Sequence, residues 1–313
     1  PGPLSVVSPA GFHSSQRGRG VAHPGSHRPL RRPSMLSADT STEAMAATPY
    51  QCGILKILAA QRKKAGESYV AGGVALNQLL AAPRQSRDID LFHDSQEAVT
   101  ATWRQDRALL VASGYAVEPI REAQSFIEAR VSLGQERVIM QWARESAFRF
   151  FPLIEDDLMG LALHPFDLAT NKVLAMAGRL ESRDWIDLLS CDKRIQPLGY
   201  LVWASCGKDP GFNPSSLLAE ISRAHYSQAE LDVLDFAGSK PDAVLLGGRW
   251  HEILRAARAT CAQLPPEEAG TCVITREGEL YRGSAAELVD ALAECRIGFH
   301  QGGLGGSWPE FRA

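Results

Sequence analysis

The chain has 313 residues, of which 45% are hydrophobic and 22% charged, and its formal net charge is -3. These values are typical of a soluble globular protein of one large or two ordinary domains, and they exclude the overall basic excess of many nucleic-acid-binding proteins. No apolar run approaches the ~20 residues of a membrane-spanning helix and the N-terminus lacks the apolar core of a signal peptide, so we expect a cytoplasmic protein. The six cysteines lack CxxC spacing and paired histidines, which favours buried thiols over disulfides or a zinc site.

Residues 1–45 are rich in Pro, Gly, Ser, Arg and His and have no periodic apolar residues. Such a composition buries too little apolar surface to offset the entropy of ordering, so we predict a disordered N-terminal extension. The extension begins with Pro, and Met35 and Met45 are alternative starts within the sequence. Its five arginines could contact nucleic acid, but a solvated tail is the favoured interpretation.

Apolar periodicity and turn residues predict alternating helices and strands as far as Pro165. The predicted helices are residues 50–64, 74–80 and 96–113. The predicted strands are residues 69–71, 87–92, 125–133, 137–142 and 161–163, with a hairpin turn at Gly134-Gln135. We interpret residues 46–164 as one α/β core domain.

After Pro165 the pattern is typical of helices, and we interpret residues 165–262 as a helical domain. The predicted helices are residues 166–178, 182–192, 198–205, 214–225 after the cap Asn213, one from the capping box at Ser227, and 250–262. Residues 263–313 are predicted to form a small C-terminal α/β element, with strands at 272–275 and 279–281 and a helix at 284–295.

The strongest chemical signal is the stretch 69–94, YVAGGVALNQLLAAPRQSRDIDLFHD. Asp88 and Asp90 alternate with Ile89 and Leu91, so on a strand both carboxylates point to one face and both apolar side chains to the other. Adjacent like charges repel unless a cation lies between them. The pair therefore indicates a cation site.

Gly72 and Gly73 precede the predicted helix at 74–80. Glycines let the backbone approach a bulky anion, and the free N–H groups of a helix start bind phosphate. Beside two carboxylates, which can hold Mg²⁺ together with substrate phosphates, this arrangement suits attack on a nucleoside triphosphate. A Gly-Gly pair alone is usually a turn, and Asp-x-Asp alone is common at strand ends. The occurrence of both at this spacing is what favours a functional site.

Two motifs carry a resemblance to a known family. GGVALNQLL followed by RQSRDIDLF resembles the nucleotidyltransferase superfamily that includes DNA polymerase beta. DLATNKVLAMAGRLESRDWIDLL, residues 167–189, is similar to the downstream segment of AbiEii/AbiGii-type toxin nucleotidyltransferases. The resemblance covers residues 69–193 and implies an α/β (α+β) nucleotidyltransferase fold with a small mixed sheet and flanking helices, followed by a helical region.

The resemblance also implies roles for particular residues. Those roles are metal ligands and catalytic carboxylates for Asp88 and Asp90, phosphate binding for Gly72, Gly73 and Ser86, and catalytic roles for Lys172 at a phosphate and for Asp187. On a helix, Lys172 and Arg179 share a face and could bind one anion. A solvated surface lysine is the alternative for Lys172. Pairing with Arg179 or Arg183 is the alternative for Asp184 and Asp187.

The sequence departs from the family pattern at three positions. Ala71 stands where family members often have Lys, and Val74 stands where they usually have Ser or Thr. Gln141 stands where polymerase-like members have a third carboxylate, and an amide cannot accept a proton at neutral pH. Glu128, on the partner strand of the hairpin, could substitute if the register allows.

The resemblance implies Mg²⁺-dependent transfer of a nucleotide from a nucleoside triphosphate to an acceptor hydroxyl. For the toxin branch the acceptor would be a tRNA end or a protein side chain, and the partner a separate antitoxin. Two alternatives stay open: a weak or inactive relative that binds nucleotides as a regulatory module, and another nucleotide-transfer enzyme such as an aminoglycoside-modifying type.

Overall fold

A computed structural model of the chain describes residues 46–309. The predicted N-terminal extension, including Met35 and Met45, lies outside the described residues. The bounds of the elements up to the middle of the chain are α1 (Pro49–Ala65), β1 (Tyr69–Ala71), α2 (Gly72–Leu80), β2 (Arg84–Gln85), β3 (Asp88–His93), α3 (Gln96–Ala112), β4 (Ala116–Ala123), β5 (Phe126–Leu133), β6 (Glu136–Arg144), β7 (Phe148–Arg149), β8 (Ile154–Asp156) and β9 (Gly160–Ala162).

The remaining described elements are mainly helices. They are α4 (Pro165–Arg179), α5 (Ser182–Arg194), α6 (Leu198–Lys208), α7 (Pro214–Ile221), α8 (Gln228–Asp232), β10 (Asp235–Phe236), α9 (Ala243–Gln263), a 3-10 turn (Pro266–Glu268), β11 (Cys272–Thr275), α10 (Ala285–Ala293), β12 (Ile297–His300) and β13 (Gly303–Leu304). No helix among residues 46–309 is long and apolar enough to cross a membrane.

Seven strands form one mixed sheet in the order β4-β5-β6-β3-β1-β9-β8. The β3–β6 and β1–β9 pairs are parallel, and the other neighbouring pairs are antiparallel. The predicted α/β fold with a mixed sheet and flanking helices is therefore confirmed. The alternation in β3 is also as predicted, because Ile89 and Leu91 are fully buried while Asp88 and Asp90 lie on the opposite face.

The main hydrophobic core contains side chains from both sides of Pro165. Trp103 of α3 packs edge-on against Trp142 of β6 with ring centroids 4.8 Å apart. The same core cluster includes Leu188 of α5 and Trp250 of α9. The helices after Pro165 thus pack on the core of the sheet, and the boundaries proposed from the sequence stay a prediction.

Four differences between the predicted and the observed elements have a clear physical reason. Strand β4 was not predicted, because it is an exposed edge strand with a proline and little apolar alternation. Helix α7 ends at Ile221 rather than at residue 225, since the bonds from Arg223 N–H to the carbonyl of Glu220 and from Ala224 N–H to that of Ile221 tighten the chain into turns. Helix α9 begins at Ala243, seven residues before the predicted start, with Asp242 as its cap.

The fourth difference lies in the C-terminal element. Strand β11 pairs with β12, whereas the predicted strand 279–281 makes a single bridge between Ile274 and Leu280. The six cysteines are all free, but only four are buried, because Cys261 is half-buried and Cys295 exposed. The prediction of buried thiols was therefore wrong for those two.

A short ladder fixes the segment that precedes β3. Strand β10 pairs antiparallel with β2, so that Asp235 faces Gln85 and Phe236 faces Arg84. An exposed ion pair joins Arg87 Nε to Asp235 Oδ2 at 2.5 Å. The helical half of the chain thus holds the residues that lead into Asp88.

Candidate functional site

A cavity of about 530 Å³ lies between β3 of the sheet and helix α4. Asp88, Asp90 and Phe92 line it from β3, since every second residue of a strand points to the same side. The α4 residues that line it are Leu168, Asn171, Lys172, Leu174, Ala175 and Arg179. The wall opposite the carboxylates is therefore the helix face that the spacing predicts, formed by Leu168, Lys172, Ala175 and Arg179.

The two carboxylates of β3 have little compensating charge within hydrogen-bond distance. Among residues 46–309, their one ion pair joins Arg183 Nη1 to Asp88 Oδ2 at 3.6 Å. Burial, and then the charge of Asp88, raise the pKa of Asp90 to about 6, against the opposing influence of Lys172. A carboxylate with a raised pKa in a cleft is typical of a functional site.

Gly72 and Gly73 begin helix α2 directly beside these acids. Gly72 has a left-handed φ of 64°, and a Cβ there would lie 1.7 Å from Asp90 Oδ2. A Cβ at Gly73 would lie 2.6 Å from Arg84 Nη2 and 2.7 Å from Ser86 Oγ. Only glycine fits at these two positions, so the helix start can approach Asp90, Arg84 and Ser86 closely. Helix α2 has no side-chain cap, which leaves its first N–H groups available to an anion.

Lys172 is buried at the centre of an ion-pair network. Its Nζ lies 2.9 Å from Asp184 Oδ1 and 3.1 Å from Asp187 Oδ2. Asp187 also accepts two hydrogen bonds from Arg84, at 2.7 and 2.8 Å. Asp184 accepts two more from Arg179, at 2.7 and 3.0 Å. The pairing of Asp184 with Arg179 is the one that the sequence offered as an alternative, and Arg84 was not among the predicted site residues.

The network has a definite charge balance. Arg84, Lys172, Arg179 and Arg183 carry four positive charges and Glu181, Asp184 and Asp187 three negative ones, so the cluster keeps a net charge of +1 beside the cavity. Burial opposes the charge on Lys172, but the two carboxylates outweigh it and raise its pKa. Lys172 and Arg179 thus line the cavity as permanent cations held by acids.

The other end of the cavity is lined by aromatic and basic side chains that sequence reasoning did not assign to the site. Arg149 makes a two-pronged contact with Asp94 and lies over the ring of Tyr69, 5.0 Å from its centroid. Lys208 Nζ donates to Asn171 Oδ1 at 2.8 Å and lies 2.8 Å from Asp167 Oδ1. The nearby aromatic lining residues are Tyr69, Phe92 and Phe148. The alternation Asp88, Asp90, Phe92 is the sequence signal that could have identified this end.

A second cavity of about 810 Å³ meets the first at Ser86 and Asp88. Its lining includes the three arginines Arg87, Arg130 and Arg137. Asp88 therefore borders both cavities, which is the arrangement needed if one molecule must react with another at this carboxylate.

The donor set fits a hard divalent cation of the Mg²⁺ type. Within residues 46–309 no group of three or more His, Cys, Asp or Glu side chains could hold a metal ion. Mg²⁺, however, is commonly bound by one or two carboxylates together with substrate phosphates and water. Asp88 and Asp90 supply those carboxylates from one face of β3, where both line the cavity.

The sequence matches no protein-family model and no curated protein. Similar solved structures include MenT4, a nucleotidyltransferase toxin from Mycobacterium tuberculosis H37Rv, at 19% identity and a TM-score of 0.46 over 72% of this chain and 87% of that one. JHP933 from Helicobacter pylori is 16% identical, with a TM-score of 0.39 over 66% of this chain and 89% of that one. At these values the likeness carries no argument about activity. The chain has the mixed α/β fold that its motifs predict, and residues of both motifs line one cavity.

Proposed function

We propose that the protein is a nucleotidyltransferase that transfers a nucleotide from a nucleoside triphosphate to an acceptor hydroxyl. The observation that carries this proposal is the meeting of three features in one cavity: the adjacent carboxylates Asp88 and Asp90, the glycine start of α2, and the cations Lys172 and Arg179. Together they offer a metal site, N–H groups for phosphate, and positive charge for a leaving pyrophosphate.

Each part has a role in the transfer. Asp88 and Asp90 would hold Mg²⁺, which supplies charge neutralisation at the attacking and leaving oxygens when bound. The N–H groups of Gly72 and Gly73, together with the Ser86 hydroxyl, would bind the triphosphate. Lys172 and Arg179 would stabilise the negative charge that develops on the departing pyrophosphate. Asp184 and Asp187 would act by holding these cations in place.

The positions of the two cavities support a division between donor and acceptor. The triphosphate would occupy the cavity between β3 and α4, with its base toward Tyr69, Phe92 and Phe148. The acceptor would approach through the arginine-lined second cavity, because that cavity also borders Asp88 and Ser86. A tRNA end or a protein side chain is the proposed acceptor, and a toxin role with a separate antitoxin is the proposed context, from the motif resemblance.

The proposal is tested by incubating the purified protein with each α-labelled nucleoside triphosphate, Mg²⁺, and either total tRNA or total protein. Label should appear on one acceptor class, and Asp88→Asn and Asp90→Asn should each reduce it by at least about a hundredfold. Asp157→Asn is a matched control, because that carboxylate is exposed and lines none of the cavities around Asp88. Transfer that survives both substitutions in β3 would reject the assignment of the site.

A nucleotide-binding module without turnover is the second candidate, and Gln141 favours it. Gln141 stands beside Asp90 in the register of β3 and β6, where a third carboxylate would otherwise take the proton of the acceptor hydroxyl. This candidate predicts saturable binding of a nucleoside triphosphate by wild-type protein, lost in Asp90→Asn, with no label transferred to any acceptor.

A further inference from the structure

The row of residues across the sheet at Asp90 contains an amide whose orientation is fixed. Asp90 of β3 pairs in register with Gln141 of β6, and Gln141 pairs with Glu128 of β5. Gln141 Nε2 donates a hydrogen bond to Glu128 Oε2 at 3.1 Å. An ionised carboxylate can only accept, so Glu128 selects the rotamer of Gln141 in which the NH₂ group points away from Asp90.

The consequence is that the amide oxygen of Gln141 faces the cavity. Gln141 lines the cavity together with Asp88 and Asp90, and neighbouring strands place Gln141 about 4.8 Å from Asp90 in the pairing direction. Glu128 lies a further strand away and does not line that cavity. The Glu128 carboxylate is therefore too distant to share a cation with Asp90. The Gln141 amide, on the strand between them, is close enough.

We infer that Gln141 Oε1 is a neutral third oxygen ligand of the divalent cation at Asp88 and Asp90, and that Glu128 is the positioning residue that aims it. This inference rests on the proposed function. Hard divalent cations take amide carbonyl oxygens as well as carboxylates into their coordination sphere. A residue that hydrogen-bonds to a metal ligand and orients it commonly contributes ten- to a hundredfold to the affinity for the metal.

The charge of the site explains why an amide suits this position. Asp88 and Asp90 already place two like charges side by side on one face of β3. A third carboxylate at this position of β6 would add another repulsive charge, next to Glu128. The amide supplies an oxygen without that charge, at the expense of a weaker hold on the cation.

The test measures binding of Mn²⁺ to the full chain without nucleotide, by the decrease of the free-ion EPR signal. Gln141→Met, which keeps the length of the side chain but removes the amide oxygen, should weaken binding about tenfold or more. Glu128→Ala should weaken it by a similar factor, while Glu128→Gln, which can still accept from Nε2, should stay near the wild-type affinity. The Glu128→Ala/Gln141→Met double variant should be no weaker than Gln141→Met alone.

Glu118→Ala is the matched control, because Glu118 is an exposed carboxylate of the same hairpin face that pairs with Arg130. Mn²⁺ affinity that is unchanged in Gln141→Met would overturn the inference. Equal weakening in Glu128→Ala, Glu128→Gln and Glu118→Ala would also overturn it, since the effect would then be one of net charge. Failure of the proposed function itself has a different signature: wild-type protein that binds no Mn²⁺, or binds it equally well in Asp88→Asn and Asp90→Asn.

Discussion

Two pairs of aspartates look alike in the sequence and differ completely in the fold. Asp184 and Asp187, three apart on helix α5, are fully buried and bind Arg84, Lys172 and Arg179 at hydrogen-bond distances. Asp88 and Asp90, two apart on strand β3, make a single ion pair within the described part of the chain, from Arg183 Nη1 to Asp88 Oδ2 at 3.6 Å. Acids whose charge is neutralised by close ion pairs within the protein stabilise the fold, whereas acids with few ion pairs, such as Asp88 and Asp90, are available to bind a cation.

The largest expected effect is the loss of stability when one of the two buried aspartates, Asp187, is replaced. Asp187→Ala should lower the free energy of unfolding by about 3–5 kcal/mol, because it leaves Arg84 and Lys172 buried without one of their carboxylates. Asp88→Ala should change it by less than about 1 kcal/mol, since Asp88 is partly exposed and makes no close ion pair. Urea unfolding of both variants at pH 7.5 measures the difference, and equal losses would contradict the division of roles.

The second effect concerns the close approach of α2 to Asp90. Gly72→Ala should cost about 2–3 kcal/mol of stability and displace Asp90, because it combines left-handed strain with a direct collision. Gly66→Ala is the matched control: Gly66 has a similar φ of 69° but no atom within 4 Å of the added Cβ, so only about 1 kcal/mol is expected. Thermal unfolding measures the stability loss of each variant, and Mn²⁺ binding measures whether Asp90 is displaced. Similar Mn²⁺ affinities of the two variants would contradict a collision with Asp90.

The third effect has the opposite sign. Asp90→Asn should raise the stability of the metal-free protein at pH 8 by on the order of 1–2 kcal/mol, because it removes a carboxylate whose pKa is raised to about 6. Between the ordinary pKa of an aspartate and about 6, only the folded state holds the proton, so wild-type stability falls as the pH rises through this window. The gain should therefore shrink as the pH falls from 8 toward 4. A gain independent of pH, in unfolding curves with EDTA, would argue against a raised pKa.

The smallest expected effect is that of Arg87→Ala, for which the neighbouring Arg84→Ala is the comparison. Arg87 pairs with Asp235 at the surface, with both side chains about half or more exposed, so Arg87→Ala should cost less than about 1 kcal/mol. Arg84, three residues earlier, is buried on Asp187, and Arg84→Ala should cost about 3–5 kcal/mol. Raising the salt concentration should remove the effect of Arg87→Ala and leave that of Arg84→Ala, as chemical denaturation in urea can measure. A comparable loss for both would contradict the assignment.

Sequence reasoning found the strand with Asp88 and Asp90 because alternation along a strand is local. It placed Lys172 and Arg179 on one face for the same reason, since helical spacing is local too. It could not identify Arg84 as the partner of Asp187, because the two are 103 residues apart. Nor could it find strand β4, whose exposed edge position leaves no apolar alternation, or the pairing of β11 with β12, which the nearer strand-like run at 279–281 obscured.

Residues 84–87 are held from two directions, by Asp187 beneath Arg84 and by the ladder with β10. The conformational entropy of this segment is therefore lost when the chain folds and not when a ligand arrives. Association should then be limited by encounter rather than by ordering of the loop before Asp88, so that its observed rate rises linearly with ligand concentration. The helical half of the chain therefore preorganises the segment that leads into Asp88 before any substrate is present.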